Sequence, residues 1–429
     1  MKITFLIHNI YGVGGTIRTT LNLATALADR HDVEIVSMLR HRTNPRFAVD
    51  PRITLTPLVD LRPDSDDTRD PLMNQPAVVF PKEEKRHQQY SRLTDLRAER
   101  FLRTCDADVI IGTRPGINVY LREFGSPKAL RIAQEHLTHD AHSRRLRAVL
   151  GRHYRALDAV VTTTKADARV YEQRMRLPGV RVTSVPNGVP RSAVEPANGQ
   201  AKVIATAGRL VKAKRFDLLI EAFTVVAAKH PDWSLRIYGH GREETHLQQL
   251  IEQHGLGGRA RLMGFHAPIE KEFAAASVVA VASEAESFGM TIVEAMRCGV
   301  PVVSTDCPLG PGEIITDGVD GRLVPVGDRD ALAAALLELV ENPDLRRRMG
   351  AAALRSAEQY EPAVVAGAYE ALFDELNVTR RPRARERRRA LWRGRAARVL
   401  RRMGVRPRAA KAEPADDGSG ARNGPGRRS

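Results

Sequence analysis

Cysteine is scarce in this chain. Cys105, Cys298 and Cys307 are the only three in 429 residues. Odd in number and widely spaced, they fit neither a disulfide framework nor a zinc site, which favours a reducing compartment. Long apolar runs are lacking as well. No stretch approaches the roughly 18 residues of a membrane span, and the opening MKITFLIHN meets His8 and Asn9 too early for a signal peptide. These absences read as a cytoplasmic protein. Aromatic residues, at 5%, do not interleave with a basic surface, which argues against nucleic acid as the main partner. We also find no convincing D-x-D metal motif, so no metal site is expected.

Positive charge is plentiful but unevenly placed. Residues 379–411 hold fourteen arginines and Lys411 against one acid, Glu386, and so carry nearly all of the net +16. Residues 1–378 are close to neutral, and the high isoelectric point describes a tail rather than a site. Hydrophobic content of 42% suits a globular protein with ample core, and the length suits two to three domains.

The chain starts twice. KITFLIH reads as a strand, YGVGG as a loop, and Ile17, Thr20, Leu21, Ala24, Leu27 and Ala28 as one helical face, before the strand DVEIVSML. From residue 202, KVIATAG, RLVKAKR and a helix facing inward through Phe216, Leu219, Ile220, Phe223, Val226 and Ala227 repeat the plan, followed by SLRIYG. Strand–loop–helix–strand alternation predicts parallel sheets with helices on both faces. Further strands are read at 108–113, 130–135 and 159–164, and at 259–265, 278–283 and 300–305. The expected architecture is α/β: two Rossmann-like domains joined near VPNGVP (185–190), their sheets facing across a cleft. Segment 61–86, rich in Pro, Asp and charge, reads as a loop or insertion. GVGG is not a dinucleotide fingerprint, and the strand after it ends without an acid for a ribose, which disfavours a nicotinamide enzyme.

In open α/β sheets, ligands sit beyond the carboxyl ends of the strands. Arg209 and Lys214, in AGRLVKAKRFD, follow a strand there; solvated loop charges are the plain alternative. In ESFGMTIVEAM a helix is expected from near Gly289 to Arg297, its free amides forming an anion site. Glu286 precedes that helix and Glu294 lies inside it. Two carboxylates beside an anion site suit a ligand that also carries hydroxyls. Cations, amides and acids together describe a nucleotide-sugar site.

These motifs resemble the retaining GT-B glycosyltransferases of family 4. Glu286 and Glu294 in ESFGMTIVEAMRCGVPVV match the family's E-x7-E pattern, and GRLVKAKRFDLLIEAF, VPNGV and IITDGVDGRLVPVGD follow in support. The resemblance covers roughly 1–378. It implies that Arg209 and Lys214 neutralise a donor diphosphate, with the backbone amides of Phe288, Gly289 and Met290 nearby. Glu294 would accept from ribose hydroxyls and Glu286 from those of the sugar. Gly14 and Gly15 would form the loop reaching the phosphate, and His136 in AQEHLTH would lie near the sugar. Asn187 and Gly188 would be hinge residues. The implied layout is an acceptor-side domain at 1–188, a donor-side domain at 189–358, and a helix at 359–378 returning to the first. An arginine-rich amphipathic segment at 379–411 and a disordered tail at 412–429 would follow. Pro362 stands where many relatives carry tryptophan. TRPGINVYLREF and CPLGPGEII resemble a teichoic-acid glucosyltransferase subset, hinting at a polyol-phosphate or lipid-linked envelope acceptor.

The donor implied is a UDP- or GDP-sugar, with no tightly bound cofactor. Two other readings stand beside it. A sugar-nucleotide epimerase or a phosphorylase would share the fold, and a basic-tail protein binding membrane or nucleic acid would make the arginines its business. Trp392, Ala396, Val399, Leu400 and Met403 keep helical spacing among those arginines, which suits an anionic membrane face and a peripheral location.

Overall fold

The computed structural model describes residues 1–402; the expectations for 403–411 and 412–429 lie outside the described residues. Two all-parallel sheets organise the rest. The first contains β1 (Lys2–Ile7), β2 (Asp32–Arg40), β3 (Thr54–Asp60), β4 (Val109–Gly112), β5 (Leu130–Glu135), β6 (Ala159–Thr162) and β7 (Arg181–Ser184), in the order 3-2-1-4-5-6-7. The second contains β8 (Val203–Ala207), β9 (Ser234–Tyr238), β10 (Ala260–Gly264), β11 (Val278–Val281), β12 (Val302–Thr305) and β13 (Gly321–Val324), in the order 10-9-8-11-12-13. Both sheets run outward from a central strand and then reverse, so each has a switch point where loops diverge and leave a crevice: β1/β4 in one, β8/β11 in the other. This is the GT-B arrangement of two Rossmann-like lobes.

Central strands such as VIIG and VVAV are buried along their whole length, as sheets covered on both faces require. The helices supply that cover with apolar faces. In Phe216–Lys229, Phe216, Leu219, Ile220, Phe223 and Val226 are all buried, each contributing about 1.5–3 kcal/mol of transfer free energy. The helix Gly15–Leu27 packs through Ile17, Leu21, Ala24 and Leu27.

Segment 61–86 is more than a surface loop. It winds through 3-10 turns, and Ala77 and Phe80 enter the core, where Phe80 stacks on Tyr90 with centroids 3.6 Å apart. The buried Asp95 carboxylate accepts from the backbone amides of Val78, Val79 and Phe80 at 2.6, 3.1 and 3.4 Å. That satisfies donors which an irregular buried segment would otherwise leave unpaired.

The chain crosses between lobes twice, at adjacent points. It passes into the second lobe at Asn187–Val189 and returns at Tyr360–Pro362. There Val189 N–H donates to the Tyr360 carbonyl at 2.8 Å, and a Cβ on Gly188 would stand 3.2 Å from Pro362 Cα. The helix Pro362–Val378 then packs on Gly15–Leu27, placing Tyr369, Phe373 and Leu376 in the first lobe's core. Arg297 ties both crossings to the second lobe. Its guanidinium donates to the Val189 carbonyl (3.2 Å) and pairs with Glu361 (2.8 Å).

The arginine-rich segment forms a helix, Arg380–Arg402. It is not simply a solvated strip: Arg383 and Arg387 turn inward and both pair with Asp158 at 3.0 Å. Arg383 is buried, as is Asp158. Among the described residues no helix is long and apolar enough to cross a membrane.

Candidate active site

The second lobe's crevice opens between β8 and β11. After β8 the chain turns sharply at Gly208–Leu210, against the loop that follows β9. Gly239 there has φ +137°, and a Cβ on it would collide with the Gly208 carbonyl. This close packing fixes Arg209, which is exposed and makes no ion pair among the described residues. Lys214 ends the 3-10 turn Lys212–Lys214. Its Nζ meets Glu286 Oε1 at 2.5 Å, and Ser283 Oγ donates to the same oxygen at 2.8 Å. The lysine–glutamate pair is largely shielded, with 23% and 12% of the side chains exposed.

The helix Met290–Arg297 begins just beyond. Gly289 at φ 111° is its N-cap, and no side chain caps it, so its first amides face the crevice unclaimed by a neighbouring side chain. The buried Phe288 packs edge-on against Tyr360. Its carbonyl lies against Gly310, where a Cβ would clash.

Glu294, one turn in, is 5% exposed. Its Oε1 accepts from Arg18 Nη1 at 2.6 Å, while Arg18 Nη2 reaches Glu270 at 3.3 Å. Arg18 belongs to the other lobe, on the helix that begins at Gly15 behind Gly14, so the pair spans the cleft. Burial pushes the Glu294 carboxyl up to about 7, with Arg18 opposing and Glu270 adding to the rise. Nothing lies within 4 Å of where a Cβ on Gly14 or Gly15 would stand, and Gly14 needs glycine for its φ of +147°. Two more contacts close the lobes together. Glu313 accepts from the amides of Lys165 and Ala166 at 2.8 and 2.7 Å, and Thr163 Oγ1 donates to the Ser287 carbonyl at 2.5 Å.

His136 follows β5. Its Nε2 donates to Gln134 Oε1 at 3.1 Å, and Gln134 in turn donates to the Tyr369 hydroxyl at 2.6 Å. Burial lowers its pKa to about 4, so the ring is neutral with Nδ1 left as an acceptor.

The two glutamates of ESFGMTIVEAM therefore have different partners, Glu286 with Lys214 and Ser283, Glu294 with Arg18 and Glu270. Arg18, Ser283 and Glu270 escaped the sequence reading. For Arg18 a signal existed: it is a cation four residues past Gly14, on a helix whose start faces the cleft. Among the described residues no group of three or more His, Cys, Asp or Glu side chains is arranged to hold a metal ion.

Comparison with known proteins bears on this geometry. Residues 13–193 match the model described as Glycosyltransferase Family 4, and residues 191–356 match Glycosyl transferases group 1. The chain belongs to this family. The family-4 chain is 34% identical over 393 residues to an exopolysaccharide phosphotransferase of Streptomyces coelicolor, covering 89% of this chain and 41% of that protein. It thus spans less than half of that relative's length. It is 31% identical over 152 residues to a poly(ribitol-phosphate) alpha-N-acetylglucosaminyltransferase of Staphylococcus aureus, 35% of this chain and 31% of that one. Its fold is similar to that of S. aureus TarM, solved with fondaparinux, alpha-GlcNAc-glycerol and UDP. The TM-score is 0.70 at 17% identity, covering 87% of this chain and 99% of TarM.

Proposed function

We infer that this family-4 chain is a hexosyltransferase. It takes a sugar from a UDP- or GDP-sugar and transfers it, with retention, to a hydroxyl of a cell-envelope polysaccharide, glycolipid or teichoic-acid-like polymer. The observation that carries this reading is the grouping at the β8/β11 crevice. Arg209, the Lys214–Glu286–Ser283 cluster and the uncapped start of Met290–Arg297 lie together where an α/β sheet binds ligands. Similarity to a polymer glycosyltransferase and to a fold solved with UDP supports it.

In the reaction, the bond between the anomeric carbon and the diphosphate oxygen breaks. A bond from the same face to the acceptor oxygen forms, and the acceptor proton passes to the leaving phosphate. Arg209, Lys214 and the amides of Phe288, Gly289 and Met290 stabilise charge growing on that diphosphate. Lys214 would exchange Glu286 for phosphate, freeing Glu286 to accept from sugar hydroxyls. Neutral His136, on the same lobe as Gly14 and Gly15, would offer Nδ1 to another sugar hydroxyl. Glu294 would accept from the ribose. The cations and amides do the work of charge neutralisation, so activity is expected to survive EDTA.

A peripheral position on the cytoplasmic membrane face belongs to the same reading. The helix Arg380–Arg402 carries exposed Leu391 and Trp392 among exposed arginines, a pattern that suits an anionic surface.

The test is a thermal-shift screen with UDP, GDP, ADP and their sugars, followed by assignment of the product's anomeric configuration by NMR. Stabilisation by one nucleotide family and a retained glycoside are expected. An epimerised donor or a sugar 1-phosphate product would overturn the reading in favour of an epimerase or a phosphorylase.

A further inference from the structure

The first lobe has a crevice of its own, between β1 and β4 on the cleft side. His8 directly follows β1, and Arg114 precedes the helix Pro115–Phe124 after β4. The segment ending in Tyr90 lies across them, anchored by Phe80 and Asp95. Glu84 in that segment is buried and holds Arg114 through two bonds, of 2.7 and 3.0 Å. Arg86, two residues on, has no carboxylate partner among the described residues. One nitrogen, Nη1, donates to Gln89 Oε1 at 2.9 Å and to His8 Nε2 at 3.3 Å.

A guanidinium only donates, so His8 Nε2 must accept and the ring is neutral. The other ring nitrogen meets the Tyr90 hydroxyl at 2.9 Å. Burial, then Arg86 and Arg114, hold the His8 pKa down to about 3, so this ring stays uncharged at neutral pH. Arg86 itself is half-buried, and its pKa is lowered by burial, then by Arg114; Glu84 and Tyr90 oppose this, and Arg209 adds the smallest share from the opposite lobe. The half-buried guanidinium thus lies beside Arg114 and an uncharged imidazole, while Glu84 is bonded to Arg114 and makes no direct pair with Arg86. Such an arrangement is unfavourable until an anion enters it. The fork geometry of arginine favours an oxyanion such as phosphate.

Arg209 and Lys214 flank the crevice assigned to the donor, whereas Arg86 and Arg114 belong to the opposite lobe's crevice. We propose that Arg86, with His8 and Arg114 beside it, forms a subsite for a phosphate group of the acceptor. The acceptor is then a phosphate-bearing polyol or glycan rather than a neutral sugar. Calling the bound group part of the acceptor rests on the glycosyltransferase reading; the anion subsite itself does not.

The experiment titrates sn-glycerol 3-phosphate, and glycerol as its uncharged control, into the full chain by calorimetry, with and without saturating UDP. Wild type should bind glycerol phosphate in the presence of UDP at least tenfold more tightly than Arg86→Gln, with Arg86→Lys intermediate and glycerol inert. UDP affinity in Arg86→Gln should remain within about twofold of wild type. Equal glycerol phosphate affinity in wild type and Arg86→Gln would overturn the proposal, and so would complete displacement by UDP, which would put the anion in the donor crevice. Failure of UDP to bind wild type would strike the donor reading alone, because the dependence of glycerol phosphate binding on Arg86 is still read without UDP.

Discussion

Burial raises the Glu294 carboxyl to about 7 although Arg18 lies 2.6 Å away, so neutral pH falls on its titration. An ionised carboxylate accepts a ribose hydroxyl more strongly than a neutral acid does, by about 1 kcal/mol. UDP should then bind wild type roughly fivefold more tightly at pH 8 than at pH 6. Glu294→Gln should lose that part of the pH dependence and keep only the share due to the nucleotide's own phosphate. Calorimetry at the two pH values measures it, and parallel profiles for the two proteins would exclude Glu294 as the titrating group. The same shift bears on stability. Below the unfolded value of about 4.5 the group is protonated in both states. As pH rises through 7 the folded chain must ionise a buried acid, so stability is lost across that window. At the other carboxylate, Lys214→Ala removes a preorganised cation and leaves Glu286 without it. Transfer should fall by about 3 kcal/mol in barrier, or more than a hundredfold in kcat, as should transfer by Arg209→Ala. A loss below fivefold in both would return them to solvated loop charges.

Loops, more than helices, hold the site in place, and two glycines show how. Gly239→Ala would force φ +137° on an alanine and drive its Cβ into the Gly208 carbonyl; Gly310→Ala would do the same against the Phe288 carbonyl. Each should lower stability by about 2–4 kcal/mol, and nucleotide affinity should fall with it because Arg209 or the Phe288–Met290 amides move. Thermal melts and UDP titration check both. Much of this element-level plan was legible in the sequence. The faces of Gly15–Leu27 and Phe216–Lys229 were read from periodicity alone, and a helix from near Gly289 to Arg297 was expected as well. Strands β3, β7 and β13 were missed. All three are edge strands, where burial is weaker, and β3 carries Pro57, tolerated because an edge strand has backbone donors to spare. Arg18–Glu294 joins residues 276 apart in sequence, and no local pattern encodes such a pair. Likewise the arginine run concealed Arg383 and Arg387, since only the fold brings Asp158 beneath them.

At the scale of the whole molecule, the arginine-rich helix has two faces with separate duties. Ending the chain after Ala390 keeps Arg383 and Arg387 on Asp158 while removing Leu391, Trp392 and the charges beyond. Sedimentation with anionic liposomes at low salt should then be lost, at about 1 kcal/mol per basic residue removed from the surface. UDP binding should be unchanged. Full-length protein that ignores such liposomes would end the membrane reading. Asp158→Ala, by contrast, strands two shielded guanidinium groups and should cost about 3–5 kcal/mol of stability, read by chemical denaturation. The double crossing at Gly188 and Pro362 has a mechanical meaning of its own. Two chain passages, hydrogen-bonded side by side, join the lobes at one place rather than at two separated ones. Arg297 grips both passages from the end of the helix that carries Glu294. A turn of one lobe against the other would therefore be transmitted to that helix through Val189 and Glu361, the two residues Arg297 holds.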